Sequence, residues 1–177
     1  MATRILDGAV VVLYIVSICA LVCCGQDKKV PMNYVWLSIF TVCVSYIVGT
    51  VCAVTDPKTV VEAAFLTTSV VIGITVYAMT TKTDYTTCGP LMFIFGFVFC
   101  CAGLLLCFFG PAMRLLYAVL GVILFSFYLL IDTQMILGGK NTKYKFDEDS
   151  YILAAVALYL DIINLFLYIL EILNSGD

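Results

Sequence analysis

The residues best placed to do chemistry in this chain are carboxylates that interrupt long apolar runs. Asp161 stands eleven residues into the run 151–173. Asp161, Asn164, Tyr168 and Glu171 follow spacings of 3, 4 and 3, which predicts one polar stripe along an otherwise apolar helix. Asp132 stands near the end of the run 112–137, and Tyr128, Phe125 and Gly121 share its helical face. An ionised side chain at the centre of a membrane helix costs about 2.5–3.5 kcal/mol on insertion scales, so both aspartates are expected to face other helices or water.

The two runs are joined by a short linker and are expected to pack antiparallel. At about 1.5 Å per residue, Asp132 lies about 8 Å and Asp161 about 15 Å below the same surface, an offset near one helical turn. The carboxyls can meet directly or through a water. Two carboxylates in a low dielectric cannot both ionise cheaply, so a meeting pair would share a proton near neutral pH and form a latch that needs no histidine. The same oxygens suit a hard cation such as Ca²⁺, but two carboxylates make only part of its shell. A weak, transient calcium site fits permeation, because the ion must also leave. The plainer reading is a hydrogen-bonding seam that fixes helix packing. Glu62, at the head of its run, reads equally as a solvated end residue or a member of the pathway. Ser69 and Gly73 form a small-xxx-small pair expected at a tight helix contact.

Other chemistries are excluded by residue type. The chain has 177 residues and no histidine, so Ser-His and Cys-His catalysis and imidazole metal sites are absent. Of nine cysteines, Cys19, Cys43, Cys52, Cys100, Cys101 and Cys107 lie in apolar runs and read as small hydrophobes. Cys23 and Cys24, at a run's end beside Lys28 and Lys29, are candidates for S-palmitoylation. Net charge is −3 and no basic stripe exists, which gives nucleic acid no footprint. The run Asp147-Glu148-Asp149-Ser150 is expected to begin the last helix, with Asp147 or Ser150 as its cap.

These residues are carried by a chain made for lipid. It is 63% hydrophobic and 12% charged, with a mean hydropathy of +1.11, whereas soluble domains run nearer half apolar and a quarter charged. Six apolar runs cover about 8–24, 34–54, 60–80, 90–109, 112–137 and 151–173, and most are near the ~20 residues that cross a bilayer. The expectation is an all-α membrane protein, one bundle domain over 1–177 with about six transmembrane helices. The first run ends in Leu-Val-Cys-Cys-Gly-Gln without a small-residue cleavage site, so it reads as a retained span. Six crossings put Lys28, Lys29, Lys82, Lys140, Lys143 and Lys145 on one side and Arg4, Lys58 and Arg114 on the other. That split places the first group in the cytoplasm.

A resemblance rests on the same residues. Ile131-Asp132-Thr133-Gln134, Tyr151-Ile152-Leu153-Ala154-Ala155 and the stretch from Leu158 through Asp161 and Asn164 to Phe166 resemble the signature of the Bax-inhibitor-motif transmembrane family. Glu62 to Thr68 and Thr81 to Thr86 are similar to that family's third- and fourth-span region. The wording is closest to the lifeguard branch, Golgi anti-apoptotic proteins included. The resemblance implies a non-enzymatic calcium-leak protein of Golgi or endoplasmic-reticulum membranes that restrains apoptosis, with no cofactor and calcium as the permeant ion. It implies a di-aspartyl pH sensor at Asp132 and Asp161; from their own types and positions, Glu62, Tyr128, Asn164 and Glu171 read as supporting groups. Family members have seven hydrophobic segments, and this chain matches from the second, so a first segment is expected to be missing. Membrane lipid, calcium and other membrane proteins of calcium signalling or apoptosis are the expected partners. Two other functions fit the pattern: a non-conducting regulator acting through protein contacts, and an intramembrane aspartyl protease. For the protease, Leu129-Leu130-Ile131-Asp132 lacks the Gly-x-Gly-Asp such enzymes carry.

Overall fold

The computed structural model describes residues 2–106, 110–138 and 142–175. Cys107 and Lys140 lie outside them. Six helices follow in order: α1 (Ala2–Val22), α2 (Met32–Val54), α3 (Pro57–Thr80), α4 (Gly89–Leu105), α5 (Pro111–Leu137) and α6 (Tyr151–Asn174). No strand occurs among the described residues. In lipid an isolated segment can satisfy its backbone only as a helix. Stretches that include α2 to α6 are long and apolar enough to cross a membrane. The apolar part of α1, Leu6–Val22, is shorter, although the helix begins six residues before the expected run.

The boundaries follow from local chemistry. Proline opens α3 and α5, where its missing N–H leaves no helical bond unmade. α5 stops at Gly138, which adopts the left-handed region (φ 56°) and returns its N–H to the Gln134 carbonyl. Glycine takes that conformation without the Cβ clash other residues meet. The acidic run before α6 does not cap it as expected. Residues Glu148–Ser150 form a short 3₁₀ turn, and the Asp147 side chain makes no capping bond. The Ser150 N–H instead bonds the Asp147 carbonyl, while the Asp147 carboxylate lies 3.6 Å from the Lys28 ammonium. Backbone closure of the turn leaves the carboxylate to the nearer cation.

The chain forms two compact units: Met1–Asp56 with Asp147–Val156, and Pro57–Phe146 with Ala157–Asp177. In the first, α1 and α2 make a hairpin around fully buried Ser17, Leu21 and Phe40. Tyr14 stacks on Phe40 at 5.8 Å, and the Tyr46 hydroxyl donates to the Asp7 carboxylate. Buried Asn33 donates to the Asp27 carbonyl and the Tyr151 hydroxyl, joining the hairpin to the start of α6.

In the second unit, α3 turns Thr59, Ala63 and Thr67 inward, one residue per turn. Ser69 and Gly73, expected at a tight contact, are exposed instead, and a Cβ on Gly73 would meet nothing within 4 Å. The helix carries more than one small-residue line, and residue size alone does not say which is packed. Large apolar side chains elsewhere face outward, with Phe65 and Leu104 each 73% exposed. That is the surface expected of a protein whose solvent is lipid.

Candidate functional site

Asp132 and Asp161 belong to the same unit, on α5 and α6. Their side chains come within hydrogen-bonding reach of one another. Asp161 is 5% exposed and Asp132 half-buried. Leu129, Leu130 and Ile131 beside one aspartate, and Leu165 and Ile169 one and two turns along from the other, are buried apolar residues. Neither carboxyl has a Lys or Arg on its own helix near it.

One atom defines the chemistry. Asp161 Oδ2 is buried with no hydrogen-bond donor among the described residues. A buried polar atom without a partner costs about 1–3 kcal/mol, more when charged. Tyr128, one turn before Asp132, lies close enough to act electrostatically on both carboxyls. Its hydroxyl proton goes elsewhere, to the Met92 carbonyl of α4 at 2.7 Å. Two fully ionised carboxylates here would face each other with no donor between them. A single proton carried by the pair supplies one, and so does a cation.

The other expected site residues stand apart. Glu62 is exposed and lies 3.8 Å from Lys58 on its own helix. Asn164 donates to the Leu160 carbonyl within α6. Glu171 is exposed in the last turns. Tyr168 enters an aromatic cluster, stacking on Phe125 and meeting Phe99 and Tyr117 edge-on. Gly121 makes room for that ring, since a Cβ there would sit 2.7 Å from it. The buried line on α6 is Asp161, Leu165, Ile169, which diverges from the polar stripe after its first member. Among the described residues no group of three or more Asp, Glu, Cys or His gathers as a metal site.

Two further polar devices of this unit were not read from the sequence. Gln134, 6% exposed, accepts from the Tyr85 N–H and donates to the Thr83 carbonyl, both at 2.9 Å. It ties the end of α5 to the loop between α3 and α4. Asp84 accepts from the Thr86 hydroxyl and N–H on one oxygen and from the Lys143 N–H on the other. The Thr86 hydroxyl foremost, with the two backbone donors and the Lys143 charge, holds the Asp84 carboxyl below its ordinary range against a weaker opposing effect of burial. Asp84-x-Thr86 is the pattern of an Asx turn, the one signal in the sequence that pointed to it. Gln134 gave no such signal.

Comparison with known proteins agrees with this architecture. A family model described as "Bax1-I: Inhibitor of apoptosis-promoting Bax1" matches residues 1–177. The chain belongs to this family. It is 31% identical to protein lifeguard 3 of Mus musculus over 171 residues, covering 93% of this chain and 55% of that protein. The human lifeguard 3 is 32% identical over 171 residues, with 93% and 54% covered. Protein LIFEGUARD 4 of Arabidopsis thaliana is 41% identical over 155 residues, with 85% and 60% covered. The chain therefore spans little more than half the length of these curated relatives. Within the Bax1-I family it is an all-α, multi-pass integral membrane protein.

Proposed function

We propose that this protein is a pH-sensitive calcium leak of intracellular membranes, Golgi or endoplasmic reticulum, which lowers calcium stores and restrains apoptosis. The observation that carries the proposal is the Asp132–Asp161 approach with its donorless buried oxygen. Family membership supports the apoptotic role, and the pair supplies the physical reason for pH sensitivity. With one shared proton the carboxyls attract, and the contact between α5 and α6 is held. Without it, two anions at hydrogen-bonding range repel, and a hard cation becomes the alternative ligand. Two carboxylates coordinate Ca²⁺ incompletely, so the ion is held weakly and can pass on.

The test is calcium flux in reconstituted vesicles at two pH values either side of neutrality. Asp132→Asn and Asp161→Asn are each expected to bring the ratio of the two fluxes to near one. An unchanged ratio in both variants refutes the pair as the sensor.

A further inference from the structure

We propose that unit two carries a binding site for one anionic phospholipid, its acyl chain lying in a groove between α4 and α5 and its headgroup on the lysines at the groove's loop end. The groove is a cavity of about 640 Å³ whose walls include Tyr85, Cys88, Met92, Phe95, Ala102 and Tyr117. That volume lies within the range of about 300–1,000 Å³ typical of ligand sites. Cys88 and Ala102 are fourteen residues apart on the chain. At about 1.5 Å per residue the groove runs about 21 Å, longer than the ~15 Å that one leaflet's chains span. Its walls are almost wholly apolar, so a headgroup fits only at an end.

The loop end has the complementary charge. Lys82, Lys143 and Lys145 are all exposed, on two segments pinned together beside Tyr85. The Lys143 N–H bonds Asp84, and the Tyr144 N–H bonds the Thr86 hydroxyl. Gln134 holds the Tyr85 N–H from α5. Against the three lysines, stretches 81–86 and 142–146 hold one carboxylate, Asp84, whose oxygens are both engaged within the loop. The acidic run Asp147-Glu148-Asp149 that follows belongs to the other unit, where Asp147 lies 3.6 Å from Lys28. Lys143 also lies over the Tyr144 ring, 5.3 Å from its centre, which keeps its ammonium at this end. The Lys/Arg count assigns this side to the cytoplasm, the leaflet in which anionic lipids concentrate. A neutral lipid would fill the groove but bring no net negative charge to the three lysines, so the charge selects the occupant.

The test uses the chain's sole tryptophan. Trp36→Phe with Phe95→Trp moves that fluorophore into the groove. The protein is reconstituted in phosphatidylcholine containing either acyl-brominated phosphatidylserine or acyl-brominated phosphatidylcholine. At equal mole fraction the anionic lipid is expected to associate about fivefold more tightly by quenching, the attraction of roughly one lysine to an anionic surface. Adding Lys82→Gln, Lys143→Gln and Lys145→Gln is expected to bring the two lipids to equality with helicity by circular dichroism unchanged. Bromine on the acyl chain reports a chain beside position 95. An equal preference when the tryptophan is placed instead by Phe65→Trp, on exposed α3 and outside the groove's walls, would be general enrichment around the protein and counts against the site. Equal quenching before the lysines are replaced, or a preference that survives their replacement, overturns the proposal.

Discussion

At the residue scale, the account turns on which polar atoms have partners. Asp161 Oδ2 has none among the described residues, whereas the buried amide of Gln134 uses both its ends. Gln134→Ala leaves the Tyr85 N–H and the Thr83 carbonyl without their side-chain partner. It is expected to lower stability by about 1–3 kcal/mol, read as a fall in the unfolding midpoint in detergent. Asp84 works by charge. Its carboxyl is held below its ordinary range, so its contribution is present above the unfolded carboxyl's pKa, near 3.9, and is lost as pH falls through the folded value. The unfolding midpoint of the parent should therefore drop on acidification in that window, and Asp84→Asn should remove part of the drop. A variant that acidifies identically to the parent would show that Asp84 adds no such contribution. The aspartate pair was legible in the sequence because a charge inside an apolar run is an anomaly that demands a reason. Gln134 was not, and Asp84 offered only its Asx-turn spacing to Thr86, because a polar residue at a span's end or in a loop is ordinary until its partners are known.

At the scale of elements, spacing identified faces but not neighbours. The run lengths located the six α-helices of the described residues, since hydrocarbon thickness sets a minimum length and proline and glycine mark the ends. The stripe Asp161, Asn164, Tyr168, Glu171 does share a side of α6, yet only Asp161 is buried. The inward line continues through Leu165 and Ile169, because the packed face of a helix is set by its partners' shape as well as by polarity. The same limit explains α3, where Thr59, Ala63 and Thr67 pack and Ser69 and Gly73 do not. The contact of α5 with α6 is made by side chains meeting at Gly121 and Tyr168 and at the two aspartates. Gly121→Ala puts a methyl 2.7 Å from the Tyr168 ring, and overpacking of that kind costs about 1–3 kcal/mol. The expected outcome is a lower unfolding midpoint in detergent that Tyr168→Leu partly restores in the double variant. Additive losses would mean that the two residues do not touch.

At the scale of the whole molecule, lipid is the organising fact. The outward apolar side chains have their place in the bilayer, and the few polar groups that turn inward acquire meaning by their rarity. Membership of the Bax1-I family supports an anti-apoptotic membrane protein, and the paired carboxyls are the ground on which we propose that it responds to protons and calcium. The family alone does not separate a conductor from a regulator acting through partners. Calcium flux in liposomes that contain this purified protein and no other makes that separation. The account predicts a flux above empty liposomes that changes between about pH 6 and about pH 8, because it makes a proton shared by the two carboxyls the switch. In Asp161→Asn liposomes the flux should lose that change. Flux indistinguishable from empty liposomes at both pH values, with the protein folded and inserted, would contradict it.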